Sequence, residues 1–332
     1  MTTTNSPVEQ LARWSDHSSA FLAMNTDTRH FTSDDVPGMI AYGIAGRRHL
    51  IQLCGPFAPP GCRRDLLNDF RAWARAQQRK VTAIQLTRAE AAEYATEGFT
   101  VNQFGSSYSV DLSRFSLSGG RFVKVRNKIS RALRQGVKVA EVPLASPRLP
   151  SIEERLEEID RMWLRAKGRL ARRLVFMVGE RGGRGHGHRR LFLATQHDGI
   201  IAYVTFSPVY GARQGWLYDL TRRSYQAPPG TIEAIISRAI TIFTAEGCQW
   251  LHFGFTPCTD LQPELEFPGH SAAMRLFIEF LAKHGDHLYP ARSQVDFKRK
   301  WQPQIVEPEY IAFDGRADPA AIFRLLHLVR AL

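Results

Sequence analysis

The densest chemistry in the sequence lies at residues 218–236, YDLTRRSYQAPPGTIEAII. Asp219 offers a carboxylate suited to holding an ammonium, and Arg222 and Arg223 offer guanidiniums suited to clamping a phosphate. Neighbouring Arg charge should keep Asp219 ionised. A Pro-Pro-Gly turn follows, and Thr231 stands where an N-cap belongs, ahead of an apolar helix. Amides exposed at such a helix start bind anions or steady a developing oxyanion, although the same pattern describes an ordinary capped helix. Further on, Lys298 and Lys300 alternate, so on a strand-like segment they share one face, turned either into a cleft or to solvent.

Other chemistries fail on their motifs. GxxxxGK[ST] is missing, GxGxxG occurs in no strand-to-helix position, and GxSxG is absent, so nucleotide-cradling and serine-hydrolase readings are unsupported. His186 and His188 have no third ligand near in sequence, and Cys54 and Cys62 match no zinc spacing. No metal and no cofactor is expected.

Charge supplies the second signal. The chain carries 44 Lys+Arg against 32 Asp+Glu, a formal net charge of +12. Residues 121–138 hold seven Lys/Arg and no acid, and residues 161–190 hold ten against Glu180 alone. These stretches give +7 and +9, so the remainder of the chain is net −4. Clustering of this kind points to a polyanion, either a nucleic acid or an anionic membrane touched peripherally. A helix over 121–135 puts Phe122, Val125, Ile129 and Leu133 on one face and Lys124, Lys128 and Arg131 on another, with Gly136 as its stop. Arg126, Arg134, Arg172 and Arg173 extend the same basic surface.

The elements that must position these groups follow from length and pattern. At 332 residues, 44% hydrophobic and 23% charged, the chain is globular and long enough for two domains. No run without Asp, Glu, Lys or Arg exceeds 14 residues, the length of 199–212, too short to span a bilayer. The first residues show no secretory signal, and four cysteines without a CxxC pair suit a reducing compartment, so a cytoplasmic protein is expected. Strand signals at 38–45, 49–54, 81–86 and 103–112 interleave with helical ones at 62–79 and 88–97, a mixed α/β order. The second half repeats the rhythm, with strands near 190–196, 200–206, 215–220 and 250–255 and helices near 152–167, 231–246 and 271–284. Three prolines within 143–151 mark a linker. The expected division is an N-terminal segment, 1–36, with a short helix over 8–14 and irregular chain after it, and two related α/β domains, 37–145 and 146–332, the latter carrying the site.

With these residues placed, the sequence resembles a family. Gly105-Ser-Ser-Tyr-Ser-Val-Asp-Leu-Ser-Arg-Phe-Ser-Leu-Ser-Gly-Gly120 and Lys124-Val-Arg-Asn-Lys-Ile-Ser-Arg-Ala-Leu-Arg-Gln-Gly136 are similar to the catalytic region of phosphatidylglycerol lysyltransferases. So are Pro229-Gly230-Thr231-Ile-Glu233, Leu251-His-Phe-Gly254-Phe-Thr-Pro257 and Phe297-Lys298-Arg-Lys300-Trp301-Gln-Pro303. The resemblance implies tandem acetyltransferase-like (GNAT) domains that take an amino acid from aminoacyl-tRNA. The coenzyme A loop of ordinary acetyltransferases is broken at Gln226-Ala-Pro-Pro-Gly-Thr231, where two prolines remove amide donors.

The family's usual members carry an N-terminal membrane domain, and no such domain is seen here. The layout is similar to soluble relatives such as the seryl-tRNA-dependent transferase of valanimycin biosynthesis. The expected partners are therefore charged tRNA and a small-molecule acceptor, not DNA. Asp219, Arg222, Lys298 and Lys300 are the expected catalytic residues, and Arg223, Gly230, Thr231, Glu233 and Trp301 the expected substrate contacts. Lys124, Arg126, Lys128, Arg131, Arg134, Arg172 and Arg173 would bind tRNA. A lipid acceptor, an acyl-CoA-dependent N-acyltransferase and a non-catalytic RNA- or membrane-binding module are the alternatives.

Overall fold

The computed structural model of the chain describes residues 6–143, 149–166, 172–285 and 290–332. The first half runs α1 (Pro7–Trp14), β1 (Arg29–Phe31), β2 (Met39–Ala45), β3 (His49–Phe57), α2 (Arg63–Ala76), β4 (Lys80–Leu86), α3 (Arg88–Thr96) and β5 (Phe99–Asp111). Then come α4 (Val123–Arg134), β6 (Lys138–Val142), α5 (Leu149–Ala166), β7 (Arg190–Gln196), β8 (Gly199–Val209) and β9 (Gly215–Arg223). The chain continues through α6 (Thr231–Ala245), β10 (Trp250–Pro257), α7 (Ala272–His284), α8 (Ala291–Arg299), β11 (Ile305–Asp314) and α9 (Pro319–Leu328).

Local chemistry accounts for the elements. Thr87 and Glu90 form a reciprocal capping box that starts α3, and Gly46 at φ +68° closes the β2–β3 hairpin. In α4, Val125 and Ala132 are buried while Lys124, Lys128, Arg131 and Arg134 stay exposed, an amphipathic split, but Leu133, expected on the apolar face, is exposed as well. Every residue of β3 is buried, as a strand covered on both faces requires.

Among the described residues the strands form one sheet in the order β1-β2-β3-β4-β11-β5-β10-β9-β8-β7-β6. Two parallel pairs joined by a helix, β3-α2-β4 and β9-α6-β10, stand on either side of its centre. Between them β5 and β11 pair antiparallel along most of their lengths. β11 also pairs with β4, and β5 also pairs with β10. Each half of the chain thus fills the strand position next to the other half's parallel pair. The expected boundary at 145/146 lies outside the described residues, and the sheet runs on across that division.

The N-terminal segment carries the expected short helix as α1, but part of the chain after it, expected to be irregular, packs into the core. A short 3-10 turn, Ala20–Met24, is wholly buried and joins Cys54, Phe104, Phe255, Ile311 and Phe313 in the core on one face of the sheet. Polar composition around it hid five consecutive buried residues.

Candidate active site

The parallel pair β9–β10 opens partway along. The strands pair at Gly215↔Trp250, Trp216↔Leu251 and Leu217↔His252, and then diverge. Both strands carry a reason to part. Asp219 is the extra residue of a β-bulge, because Leu220 opposes Thr205 while Tyr218 opposes Phe206. On β10, Gly254 sits at φ +67°, where the register against β5 also shifts. Beyond the split, carbonyls on the β10 edge lack a β9 partner.

Lys298 takes their place. Its Nζ donates to Gly254 O at 2.8 Å, Phe255 O at 2.9 Å and Thr256 Oγ1 at 2.7 Å. The side chain is buried and forms no salt bridge among the described residues. Burial, opposed only in part by the charge of Glu309, pushes its ammonium down to about 7. Near neutral pH it therefore exchanges a proton, which an exposed lysine does not do. The strand-like segment expected here is instead α8, and the alternation rule fails for a helix. Lys300 follows that helix and turns elsewhere, its Nζ 3.0 Å from Glu233 Oε1.

Glu233 lies in the first turn of α6, where Lys128 also approaches it at 3.5 Å. Burial alone would raise this carboxyl, but Lys300 and Lys128 hold it below the usual carboxylate range. Gly230, not Thr231, is the N-cap of α6. It adopts φ +97°, and a Cβ there would lie 2.1 Å from Lys128 O, so α4 and α6 approach at a point only glycine allows. Thr231 is the first helical residue and donates its hydroxyl to Pro228 O at 2.7 Å. Trp301, expected to touch substrate, is fully buried against Phe253, ring centroids 5.9 Å apart, and belongs to the core.

The three charged residues of the 218–223 segment part company. Asp219 accepts from Ser207 Oγ and the Gly179 amide and lies 3.7 Å from Arg189 Nε. Burial raises its carboxyl, and the arginine charge that opposes this comes from Arg189, not from Arg222 or Arg223. Arg222 is buried, 3.6 Å from Asp160 Oδ1 and 3.9 Å over the Trp163 ring, while Arg223 is exposed. Sequence reasoning missed Arg189, Ser207 and Gly179. No local motif announces them, because the bulge that gathers them is a property of the β8–β9 pairing.

The second basic stretch also changes meaning. Arg181 pairs with Glu153 and Asp160, Arg184 donates to Asn25 O and Thr28 O, and Arg190 is forked between Glu141 and Glu246. These arginines stitch the loop to its surroundings and are not a free polyanion surface. Residues 167–171 of that stretch lie outside the described residues. Arg172 and Arg173 are not buried, and Lys124, Arg131 and Arg134 are exposed, while Arg126 Nη1 is spent on Leu117 O and Gly119 O.

Behind the split strand lies an apolar cavity of about 120 Å³, lined by Phe104, Met177, Phe255, Leu281, Ile322 and Leu325. Phe255 joins the two features, since its carbonyl accepts from Lys298 and its side chain lines the cavity. Among the described residues no group of three or more His, Cys, Asp or Glu could hold a metal ion.

The model of the phosphatidylglycerol lysyltransferase C-terminal family matches residues 8–313. The chain belongs to that family. It is 23% identical over 307 residues to the phosphatidylglycerol lysyltransferase of Bacillus subtilis strain 168, covering 91% of this chain and 34% of that one. It is 24% identical over 260 residues to the lysylphosphatidylglycerol biosynthesis bifunctional protein of Rhodococcus jostii RHA1, covering 76% and 22%. The chain thus spans about a third or less of these curated relatives. Its fold superposes on the L-PGS structure from Bacillus licheniformis with a TM-score of 0.77 at 21% identity, covering 98% of this chain and 97% of that one. The family match takes in the whole split-strand site, from α4 into β11.

Proposed function

We propose that the chain transfers an amino acid from aminoacyl-tRNA to the hydroxyl of a polar lipid of the phosphatidylglycerol type. The observation that carries this reading is the meeting of Lys298 and the apolar cavity at Phe255. An aminoacyl ester is already activated, so the enzyme has to position it, support a tetrahedral oxyanion and move one proton. The acceptor oxygen attacks the ester carbonyl and gives its proton to neutral Lys298, and the bond to the tRNA 3′ oxygen breaks as that oxygen takes the proton back from the Lys298 ammonium, which returns to its neutral form. A cavity walled by Phe, Leu, Ile and Met suits an acyl chain better than the small soluble metabolite that the sequence suggested.

The relatives named above act on phosphatidylglycerol by their names, which supports a lipid acceptor here. The exposed cations of α4 suit a tRNA backbone. Among the described residues no helix is long and apolar enough to cross a membrane. The test is a panel of radiolabelled aminoacyl-tRNAs offered with phosphatidylglycerol vesicles, with vesicles lacking it, and with small hydroxylated acceptors. Label in the phosphatidylglycerol fraction is the expected result, and label confined to water-soluble acceptors overturns it.

A further inference from the structure

α7 turns two large apolar side chains outward. Met274 and Ile278 bury the helix against the core, while Leu276 and Phe280, one turn apart, are 59% and 58% exposed. α9 adds Phe323, 47% exposed, whose ring meets that of Phe277 at a centroid distance of 5.9 Å. Phe280 follows Phe277 by one turn, so the three exposed side chains stand on one ridge made by α7 and α9. Exposed apolar residues scattered singly need no explanation, but a group of them marks a surface that meets something apolar. The ridge also adjoins the apolar cavity behind β10. One turn beyond the Phe277–Phe323 contact, Leu281 of α7 and Leu326 of α9 both line that cavity.

The next residue along α9 carries the opposite chemistry. Arg324 lies over the turn of the β2–β3 hairpin, its Cδ 3.5 Å from where a Cβ on Gly46 would stand. There Arg47, Arg48, Lys80 and Arg324, all exposed, line a concavity of about 670 Å³ with His49 and Asp318. Asp318 is the one acid among its lining residues, and it is already engaged. It accepts from the Ala320 amide at 2.9 Å and lies 4.0 Å from His49 Nε2. Burial, joined by the charges of Lys80, Arg324 and Arg48 against that of Asp318, pushes the His49 ring below its ordinary value. Those three cations therefore act on one spot. Among the described residues none of the four forms an ion pair. Lys283 adds an exposed cation on α7 itself, and Glu279 of that helix is 3.6 Å from Arg275.

Unpaired cations beside an apolar ridge complement an anionic bilayer, which offers phosphates at its surface and acyl chains just beneath. A nucleic acid backbone would satisfy the cations and leave Leu276, Phe280 and Phe323 in water. A symmetric contact with a second copy would bring the same cations together.

We propose that the α7–α9 ridge and the hairpin concavity dock the protein on an anionic bilayer, with Leu276, Phe280 and Phe323 below the lipid phosphates and Arg47, Arg48, Lys80 and Arg324 among them. Docking needs no turnover and so stands apart from the transfer reading above. Where both hold, a lipid leaves the bilayer between the two helices that wall the cavity.

The test is co-sedimentation of the full chain with vesicles of phosphatidylcholine alone and with vesicles of equal parts phosphatidylcholine and either phosphatidylglycerol or phosphatidylserine. Both anionic vesicles should bind the wild type about tenfold or more tightly than phosphatidylcholine, because charge and not headgroup identity is read. Combined Arg47→Glu, Arg48→Glu and Lys80→Glu should weaken that binding by about a hundredfold. Combined Leu276→Ser, Phe280→Ser and Phe323→Ser should weaken it by about tenfold or more. All six side chains are exposed, so both variants should melt near the wild type.

Equal binding of the three vesicles by the wild type overturns the proposal without recourse to any variant, as does binding to none of them or to phosphatidylglycerol vesicles only. Binding unchanged in both folded variants overturns it too. A wild-type dimer that the serine variant dissolves, with no vesicle binding, would give the ridge to a second copy instead. Transfer to a short-chain phosphatidylglycerol, dissolved below its micelle concentration, needs no bilayer and should be alike in all three proteins. Vesicle binding without that transfer sinks the proposed activity and leaves the docking surface standing. That transfer without vesicle binding does the reverse.

Discussion

Lys298 Nζ lies 2.8 Å from the carbonyl oxygen of Gly254, on the edge that β10 exposes after leaving β9. A buried lysine at about 7 is protonated in the unfolded chain up to about pH 10, so between those values the unfolded state binds the extra proton. Stability should therefore rise with pH from about 7 toward 10, and Lys298→Met should flatten that slope in urea melts at about pH 6, 8 and 10. Transfer by the wild type should increase through an inflection near 7, and the variant should lose on the order of 10²–10⁴ in rate. A wild-type profile flat through pH 7 would remove Lys298 as the proton acceptor.

Asp219→Asn should act mainly on stability. Asp219 and Arg189 are both buried and face each other, so removing the carboxylate strands a guanidinium. A loss of about 3 kcal/mol or more is expected in chemical denaturation. Transfer measured well below the variant's melting temperature should fall less than for Lys298→Met. An unchanged melting temperature with abolished transfer would instead return Asp219 to the role of substrate ligand.

Two glycines flanking α6 form a matched pair. Gly230→Ala meets Lys128 O at 2.1 Å and a φ of +97°, whereas Gly247→Ala meets nothing within 4 Å at φ +78°. The second should cost about 1 kcal/mol from conformation alone, and the first clearly more, because backbone must move. Similar losses in the two variants would show that α4 yields freely to α6.

Charge reversal of Lys124, Arg131 and Arg134 tests the helix surface. Binding of charged tRNA should weaken, and the slope of log affinity against log salt should shrink by up to about 0.9 for each phosphate no longer neutralised. Arg190→Gln, which breaks pairs with Glu141 and Glu246, should lower stability and leave that slope alone. A salt slope untouched by the triple reversal would rule α4 out as a tRNA-binding surface.

The sequence revealed elements through their periodicity and their stops. α4 with Gly136 behind it, the β2–β3 hairpin around Gly46, and the β9-α6-β10 unit all appear close to where pattern places them. What escaped it depends on pairing between distant strands. Asp219 meets Arg189 and Ser207 because a bulge against β8 turns it onto their side of the sheet, and the 298–300 alternation reads as a strand because α8 is too short for its apolar period to show. The clustered arginines of 161–190 misled for a similar reason, since their acids come from α5, β6 and the end of α6.

The place of β11 between β4 and β5 has a cost in time. A ribosome that has released β5 must still make the 193 residues between Asp111 and Ile305 before the strand belonging beside it begins. At about 5–20 residues per second that wait is on the order of 10–40 s. Throughout it β4 and β5 each keep an edge that no earlier part of the chain is built to cover, the kind of edge that recruits neighbouring chains. Truncation anywhere upstream of Ile305 would open the middle of the sheet and not its margin, so shortened chains should aggregate instead of folding as smaller domains.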